Sequence, residues 1–255
     1  LTTQDGEVYF VSNQSDKTIS FDANFRAKGM QPELWNPLTS ETRYLPEFKQ
    51  LTGAISVPMT LAGNESSFVI FREKAKTEGK GQNYPEATQV ATIDAPWTIE
   101  FEAHRGGPEK PIVTEKLFDW MESEDQKIKY FSGNAIYKTT FNIDKLPESP
   151  VYIDLGKVMV MAKVRINGQE AGGVWTAPYQ VGITGLLKEG VNELEVEVVN
   201  CWRNRLVGEL FLPEKERFTF HTAATINEKT PMQSSGLLGP VQIVSYPYEM
   251  VECVK

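Results

Sequence analysis

The chain has 255 residues, of which 40 % are hydrophobic and 24 % charged, and its net charge at pH 7 is −8. This composition is typical of globular proteins, and the length predicts one large domain or two of ordinary size. Nucleic acid is excluded as an expected partner because phosphate binding needs clustered Lys and Arg. No apolar run reaches about 18 residues, so we expect no membrane span. The segment that begins at Leu1 lacks the pattern of a signal peptide.

The first 75 residues show apolar and polar positions alternating between turn residues. Residues 7–13 form one such segment, and residues 19–25 place their apolar side chains on one face. A further strand is expected to end at Trp35, because Asn36-Pro37 cannot continue it. Several short strands of this kind predict a small, immunoglobulin-like β-sandwich.

The composition changes after Arg72. Residues 74–83 are Lys, Glu, Gly, Thr, Gln and Asn with only Ala75 as an apolar residue, which predicts an exposed linker or long loop. We therefore expect an immunoglobulin-like sandwich with its linker over residues 1–84 and a second β-domain over residues 85–255.

The second region again shows strand patterns. Residues 97–102 and 192–199 alternate strictly, whereas residues 115–122 have helical spacing and predict one or two helical turns. Asn167-Gly168 is a strong hairpin signal, since both positions favour positive φ. About eight or nine strands in this region predict a jelly-roll sandwich. The fold class expected for the whole chain is all-β.

Nucleophilic catalysis is not indicated. His104 and His221 are the two histidines, there is no Gly-x-Ser-x-Gly motif, and each histidine is expected to be an ordinary surface or loop residue. Cys201 and Cys253 do not make a disulfide framework, and the sequence leaves open whether they pair. No catalytic residue is predicted in this chain.

Metal chemistry is only weakly indicated. Zinc is not expected because His-x-x-x-His and Cys-x-x-Cys motifs are absent. A structural calcium ion stays open, since loop carbonyls with one or two carboxylates suffice to bind it. Asp94, Asp154 and Glu209 are the candidates, each with the alternative of a solvated or capping carboxylate. No other cofactor is expected.

Glycosidase chemistry needs two carboxyl groups about 5–10 Å apart across a sugar. Glu193, Glu195 and Glu197 are close in sequence, but they alternate with Leu194 and Val196, which are expected to face the core. These glutamates are therefore predicted to form a solvated face of the sheet and not an active site.

The stretch after the last of these glutamates is the richest in groups that bind sugars. It contains Trp202, Arg203, Asn204, Arg205 and Glu209, and we predict that it is a loop at a sandwich edge. A flat aromatic ring stacks on a pyranose face, and guanidinium and amide groups pair with hydroxyls. The alternative is a structural loop in which arginines bind backbone carbonyls and Trp202 lies in the core.

A second candidate for glycan contact is the segment from Trp175 to Tyr179, in which two aromatic residues flank Pro178. Such a pair can form a stacking platform. Alternatively, Tyr179 closes the end of the sandwich and contacts no ligand.

The second region resembles the sugar-binding domain of family 2 type glycoside hydrolases. Residues 130–137, Tyr-Phe-Ser-Gly-Asn-Ala-Ile-Tyr, carry the first of a series of short motifs. The others follow in order at residues 154–156, 164–168, 175–179, 190–194 and 235–241. With Asn204-Arg205-Leu206, the chain is most similar to the C-terminal β-domains of family 106 α-L-rhamnosidases. This resemblance implies a galactose-binding-like jelly roll.

The N-terminal region resembles the small sandwich that precedes the jelly roll in that family, on the basis of residues 34–39, Leu-Trp-Asn-Pro-Leu-Thr. The family usually has Gly-Glu next, where this chain has Ser40 and Glu41. A serine in a left-handed turn position costs about 1 kcal/mol, so we expect the turn to persist.

The resemblance implies a non-catalytic accessory region of a secreted or periplasmic glycoside hydrolase. Its expected partners are the (β/α)₈ catalytic domain of the same polypeptide and a plant or microbial polysaccharide, rhamnose-containing by analogy. The family's catalytic carboxylates lie in that barrel, which nothing here resembles, so they correspond to no residue of this chain. The alternatives are a self-contained small glycan hydrolase or lyase on a jelly roll, and a scaffold or adhesin domain without a sugar ligand.

Overall fold

A computed structural model describes residues 1–3, 6–75, 79–220 and 226–251. The described residues are mostly antiparallel strands in two sandwiches, each with its own cluster of buried apolar side chains. The predicted all-β class is confirmed. The division of the chain at residue 84 stays a prediction, and the two buried clusters lie on either side of that residue.

The N-terminal sandwich packs a four-stranded sheet, in the order β1-β7-β3-β4, on a three-stranded sheet, in the order β2-β6-β5. Its strands are β1 Glu7–Ser12, β2 Ile19–Phe25, β3 Met30–Trp35, β4 Thr42–Tyr44, β5 Lys49–Leu51, β6 Ala54–Leu61 and β7 Ser66–Lys74. Strand β6 alternates strictly, so that Ile55, Val57 and Met59 enter the core between the sheets. As predicted, β3 ends at Trp35.

The second sandwich is the jelly roll. Its strands are β8 Thr88–Ala91, β9 Trp97–Phe101, β10 Ile112–Thr114, β11 Asn134–Ile143, β12 Val151–Asp154, β13 Lys157–Met159, β14 Met161–Ile166, β15 Gln169–Val174, β16 Gln180–Gly182, β17 Gly190–Val199, β18 Gly236–Gly239 and β19 Gln242–Ser245. A six-stranded sheet, β10-β9-β11-β17-β14-β15, accompanies a four-stranded sheet, β16-β12-β19-β8, and a pair, β13-β18. Two α-helices, α1 Gln126–Lys129 and α2 Arg203–Glu209, lie within the described ranges.

Local sequence signals are realised in both sandwiches. Asn167 and Gly168 have φ values of 52° and 78° and join β14 to β15, as the hairpin signal predicts. Ser40 has a φ of 61°, so the left-handed turn persists without a glycine. Residues 115–122 contain a single 3₁₀ turn, Trp120–Glu122, which buries Trp120 against Phe101 and Phe131.

The predicted exposed linker is partly buried, which corrects the expectation for residues 74–83. Asn83 is almost fully buried, because its side-chain amide donates to the backbone oxygens of Glu47 and Pro58 and accepts from the Glu47 N–H. The backbone at Gly79 lies so close to Phe48 that a Cβ there would overlap the Phe48 main chain. This part of the linker is therefore fixed on the first sandwich by contacts that its polar composition does not reveal.

The C-terminal segment returns from the jelly roll to the first sandwich. The Tyr44 N–H donates to the Glu249 carbonyl at 2.9 Å, and the Val251 N–H donates to the Thr42 carbonyl at 3.0 Å. These bonds place residues 249–251 beside β4, at the edge of the first sandwich's larger sheet. The two sandwiches are thus joined by the chain at two places, through residues 79–84 and through residues 249–251.

Arg43 lies where these two connections meet. Its guanidinium carbon is 5.2 Å from the ring centroid of Tyr84 and 4.2 Å from that of Tyr248, and Nη1 donates to the Asn83 carbonyl at 2.8 Å. Arg43 is only 9 % exposed, so its charge is largely removed from water. The two rings and the carbonyl stabilise that charge in place of water. We call Arg43, the Asn83 carbonyl and the rings of Tyr84 and Tyr248 the Arg43 cluster.

Removing the Arg43 guanidinium is expected to lower the stability of the folded protein. Arg43→Ala loses two cation–π contacts and one buried hydrogen bond, so the free energy of unfolding in urea should fall by about 2–4 kcal/mol. The matched control is Lys163→Ala, which removes an exposed ion pair with Glu170 and should cost no more than about 1 kcal/mol. Equal losses for the two variants would show that the cluster does not hold the sandwiches together.

Candidate functional site

Strand register brings the two predicted glycan-contact segments to the same end of the jelly roll. Val199, the last residue of β17, is paired with Met161 of β14. Val174, the last residue of β15, is paired with Ala162, the next residue of β14. The chain therefore leaves β15 and β17 at the same end of the six-stranded sheet. The two strands are two positions apart, so these exits are separated by about 10 Å.

Both predicted tryptophans are exposed at this end. Trp175 is 56 % exposed and Trp202 is 62 % exposed, and further aromatic residues follow α2 with equally open side chains. We call the set the aromatic end: Trp175, Trp202, Phe211, Phe218 and Phe220. Exposed aromatic groups in such number make this end of the jelly roll a candidate contact surface.

The segment after Trp202 is a helix, which corrects the prediction of a loop. Helix α2 is seven residues long, and the Leu206 N–H donates to the Trp202 carbonyl at 3.0 Å. Gly208 packs against the ring of Tyr130 so closely that a Cβ would lie 2.3 Å from the Tyr130 Cγ. The alternative expectation for Trp202, burial in the core, is wrong, because tight packing occurs at Gly208 and leaves Trp202 outside.

Asn204 and Arg203 fix α2 to the segment before β18. Asn204 is 1 % exposed, donates to the Gln233 carbonyl at 2.6 Å and to the Ser235 hydroxyl at 3.1 Å, and accepts from the Gln233 N–H at 2.8 Å. Arg203 Nε donates to the Pro231 carbonyl at 2.7 Å. The bond from Arg203 to a backbone carbonyl is the kind that the structural alternative expected, and the side-chain amide of Asn204 is also occupied by the protein itself.

Glu209 and Arg205 hold the segment that carries Phe218. The buried Glu209 carboxylate accepts from the backbone N–H groups of Phe218 and Thr219 at 3.1 and 3.0 Å and from the Thr219 hydroxyl. Arg205 donates to the Arg105 carbonyl and lies 3.9 Å from Glu209, with its guanidinium carbon 5.4 Å from the centroid of the Phe218 ring. Burial lowers the pKa of Arg205, which Glu209 partly offsets.

Tyr179 is half-buried and packs against the core of the jelly roll, while its carbonyl accepts from the Leu155 N–H at 2.9 Å. The seven predicted contact residues thus differ in what they leave free. Trp175 and Trp202 present open rings, whereas Asn204 and Glu209 are enclosed by hydrogen bonds. Glycan contact by any of the seven stays a prediction.

In the part of the chain that the structure describes, the histidine and cysteine candidates are not assembled into a catalytic or metal-binding group. His104 is exposed and lies 3.9 Å from Glu102, while His221 and Cys253 lie outside the described residues. The Cys201 thiol donates to the Gln233 side chain at 3.1 Å. Within the described ranges, no three His, Cys, Asp or Glu side chains are grouped so as to hold a metal ion.

The calcium candidates each have partners of their own. Asp94 accepts from the Thr92 hydroxyl, Asp154 accepts from the Gly156 N–H and the Gln180 amide, and Glu209 holds residues 218–219 as described above. The glutamates of β17 lie on the outer face of the sheet, where Glu195 and Glu197 form ion pairs with Arg165. They lie on the solvated face that the sequence predicted, where Glu193 and Glu195 border an open depression together with Lys138 and Arg165.

A cleft of about 340 Å³ between the sandwiches was not predicted from the sequence. It is lined by residues from separated segments, including Glu41, Arg43, Tyr84, Tyr152 and Tyr248. The only sequence signal was the density of tyrosine near the C terminus, because the other side chains come together through folding alone.

A β-sandwich pair with these motifs is similar to β-domain regions of glycoside hydrolases. Residues 1–50 match the family model described as alpha-L-rhamnosidase, and residues 112–228 match the model described as glycosyl hydrolase 2 galactose-binding domain-like. Each model matches less than half of the chain. Together they confirm both parts of the resemblance inferred from the sequence.

Two relatives extend these matches. The solved structure of a rhamnosidase from Novosphingobium sp. PP1Y matches 96 % of this chain with a TM-score of 0.87 and 34 % identity, and this chain covers 23 % of it. A protein of Formosa agariphila named "Putative beta-glucuronidase" is 34 % identical over 189 residues, which is 62 % of this chain and 16 % of that protein. The chain therefore spans less than a quarter of either relative.

None of the helices in the described ranges is long and apolar enough to cross a membrane. This finding agrees with the absence of an apolar run in the sequence.

Measurements of the free energy of unfolding can distinguish the structural role of Asn204 from the surface position of Trp202. Asn204→Ala leaves the backbone groups of Gln233 without their partners, so the free energy of unfolding should fall by about 1–3 kcal/mol. Trp202→Ala removes an exposed ring and should change it by no more than about 0.5 kcal/mol. Chemical denaturation measures both, and a large loss for Trp202→Ala would contradict its placement at the surface.

Proposed function

We propose that this chain is the non-catalytic accessory region of a secreted or periplasmic glycoside hydrolase of the α-L-rhamnosidase type. The observation that carries the proposal is the match over nearly the whole chain to less than a quarter of a rhamnosidase. A region that spans so small a share of its relative supports a role beside a catalytic domain and not in place of it.

In this proposal the aromatic end contacts the catalytic domain. Phe211 and Phe218 are more than half exposed, and Phe220 is 89 % exposed, although the Glu209 carboxylate holds the adjoining backbone in place. Fixed, exposed aromatic rings have little entropy to lose on docking, so they favour a permanent intramolecular interface. The accessory region would thereby support the position of the catalytic domain.

Glycan contact is proposed for Trp175 and Trp202 at the border of this surface. Their rings are open, and the strand spacing of about 10 Å between their segments is close to the length of two pyranose units. Stacking of each ring on a sugar face would supply affinity without side-chain amides, which the protein uses internally.

Docking is tested by producing the remainder of the parent polypeptide and this chain as separate proteins and measuring their association. Phe218→Ser removes an apolar contact at the aromatic end and should weaken association about tenfold or more. Phe10→Ser, at a residue that is 61 % exposed on the first sandwich, is the matched control and should leave association unchanged. Equal effects of the two variants would refute docking through this end.

Glycan contact is tested by calorimetric titration of the chain with rhamnose-containing oligosaccharides. Trp175→Ala and Trp202→Ala should each weaken binding by about 1–3 kcal/mol, by analogy with the loss of one stacked aromatic face from a nucleobase. Asn204→Gln is not a suitable control because it disturbs the fold, so Val113→Ala, at an exposed residue of β10, serves instead. The absence of heat at millimolar oligosaccharide would refute the glycan proposal.

A further inference from the structure

The cleft between the two sandwiches has aromatic walls. The rings of Tyr246 and Tyr248 are stacked with centroids 4.9 Å apart, and Tyr152 meets them edge-on at 5.7 and 6.4 Å. The rings of Tyr84 and Tyr248 both contact the Arg43 guanidinium. Burial raises the pKa of Tyr248 to about 12, so its hydroxyl is a neutral hydrogen-bonding group at ordinary pH.

The polar groups of the cleft are carboxylates and amides. Glu41 accepts from the Thr39 hydroxyl at 3.2 Å, and Glu65 Oε2 accepts from the Ala62 N–H at 2.6 Å. Among the described residues, Glu65 Oε1 has no hydrogen-bond donor. Burial raises the pKa of both carboxyl groups, and the hydrogen bonds from Thr39 and Ala62 partly offset this effect. Gln180 also lines the cleft, where its amide nitrogen donates to Asp154 at 2.9 Å and to the Tyr246 hydroxyl at 3.1 Å, so its side-chain oxygen is the group that can accept from a ligand.

The lining of the cleft carries groups of both charges. The Arg43 guanidinium, which is held by two rings and the Asn83 carbonyl, repels a cation. The carboxyl groups of Glu41 and Glu65 disfavour an anion. A neutral ligand that carries several hydroxyl groups avoids both repulsions and can donate to the carboxylates.

The size and the walls of the cleft restrict the ligand further. A volume of about 340 Å³ is at the small end of ligand pockets, which suits one six-membered ring and not a chain of them. Tyrosine faces suit the apolar C–H surface of such a ring. We propose that the cleft between the sandwiches binds a single neutral pyranose unit, with Glu65 and Gln180 as its polar contacts and tyrosine rings as its walls.

This site is distinct from the aromatic end and does not depend on the proposed accessory function. Its walls come from both sandwiches and from residues 246–250, so a bound ring would contact all three and stabilise their association. The two sites adjoin at the segment that follows β15, because Val174 and Pro178 line the cleft while Trp175 between them is exposed.

Calorimetric titration of the 255-residue chain tests the proposal with L-rhamnose and D-galactose as neutral probes and D-glucuronate and D-glucosamine as charged ones. Saturable binding of at least one neutral pyranose, tighter than that of the charged sugars, is the expected result. No saturable binding of either neutral sugar, or tighter binding of a charged one, would overturn the proposal.

Variants locate the binding. Thr18→Trp fills the mouth of the cleft and Glu65→Gln removes a charged acceptor, and each should lower affinity about tenfold or more. Val113→Trp, at an exposed residue away from the cleft, and Trp202→Ala, at the aromatic end, should leave affinity unchanged. Circular dichroism verifies folding of each variant. If Trp202→Ala abolishes binding while Thr18→Trp and Glu65→Gln do not, the sugar binds at the aromatic end, which overturns the cleft site and supports the accessory proposal.

Discussion

The placement of Arg43 between two tyrosine rings is the interaction on which the arrangement of the sandwiches depends. A guanidinium that is 9 % exposed must be compensated within the protein, and its partners come from two separate parts of the chain. Asn83 and Tyr84 belong to the connection between the sandwiches, and Tyr248 belongs to the returning C-terminal segment. Each partner that stabilises the charge therefore also fixes one connection.

This constraint determines which surfaces remain free. Residues 249–251 pair with β4 and so cover the edge of the first sandwich's larger sheet. The cleft forms beside this pairing, since its lining includes Arg43, Tyr84 and Tyr248. The aromatic end begins beside the cleft, since Val174 at the exit of β15 lines the cleft and Trp175 follows it, and it extends to the exit of β17. The protein thus has an enclosed polar-aromatic site at its internal junction and an open aromatic surface on the jelly roll.

The sequence predicted features that are set by short-range physics. The alternation of residues 192–199 identified β17, Asn36-Pro37 identified the end of β3, and Asn167-Gly168 identified a hairpin turn. In each case the residues that determine the structure are neighbours in the chain. The all-β class and the resemblance to glycoside hydrolase β-domains follow from many such local patterns taken in order.

Features that depend on distant partners were missed. Helix α2 is too short to form on propensity alone, and it is held by Asn204 through bonds to Gln233 and Ser235. Asn83 was expected to be exposed because its neighbours are polar, but its partners lie at residues 47 and 58. The cleft was invisible for the same reason, since its side chains are separated by up to about 200 positions of sequence and meet only in the folded chain.

The stretch from Trp202 to Glu209 shows how composition can suggest a ligand while structure assigns most of the same groups elsewhere. Asn204 and Glu209 are enclosed, because buried amides and carboxylates need partners and the nearby backbone supplies them. The bonds of Glu209 hold the backbone at Phe218, so its polar chemistry fixes the position of an apolar ring. The ring of Trp202 and the aromatic residues held by this stretch remain available to a partner. Contact at this end therefore depends on shape and apolar area more than on hydrogen bonds.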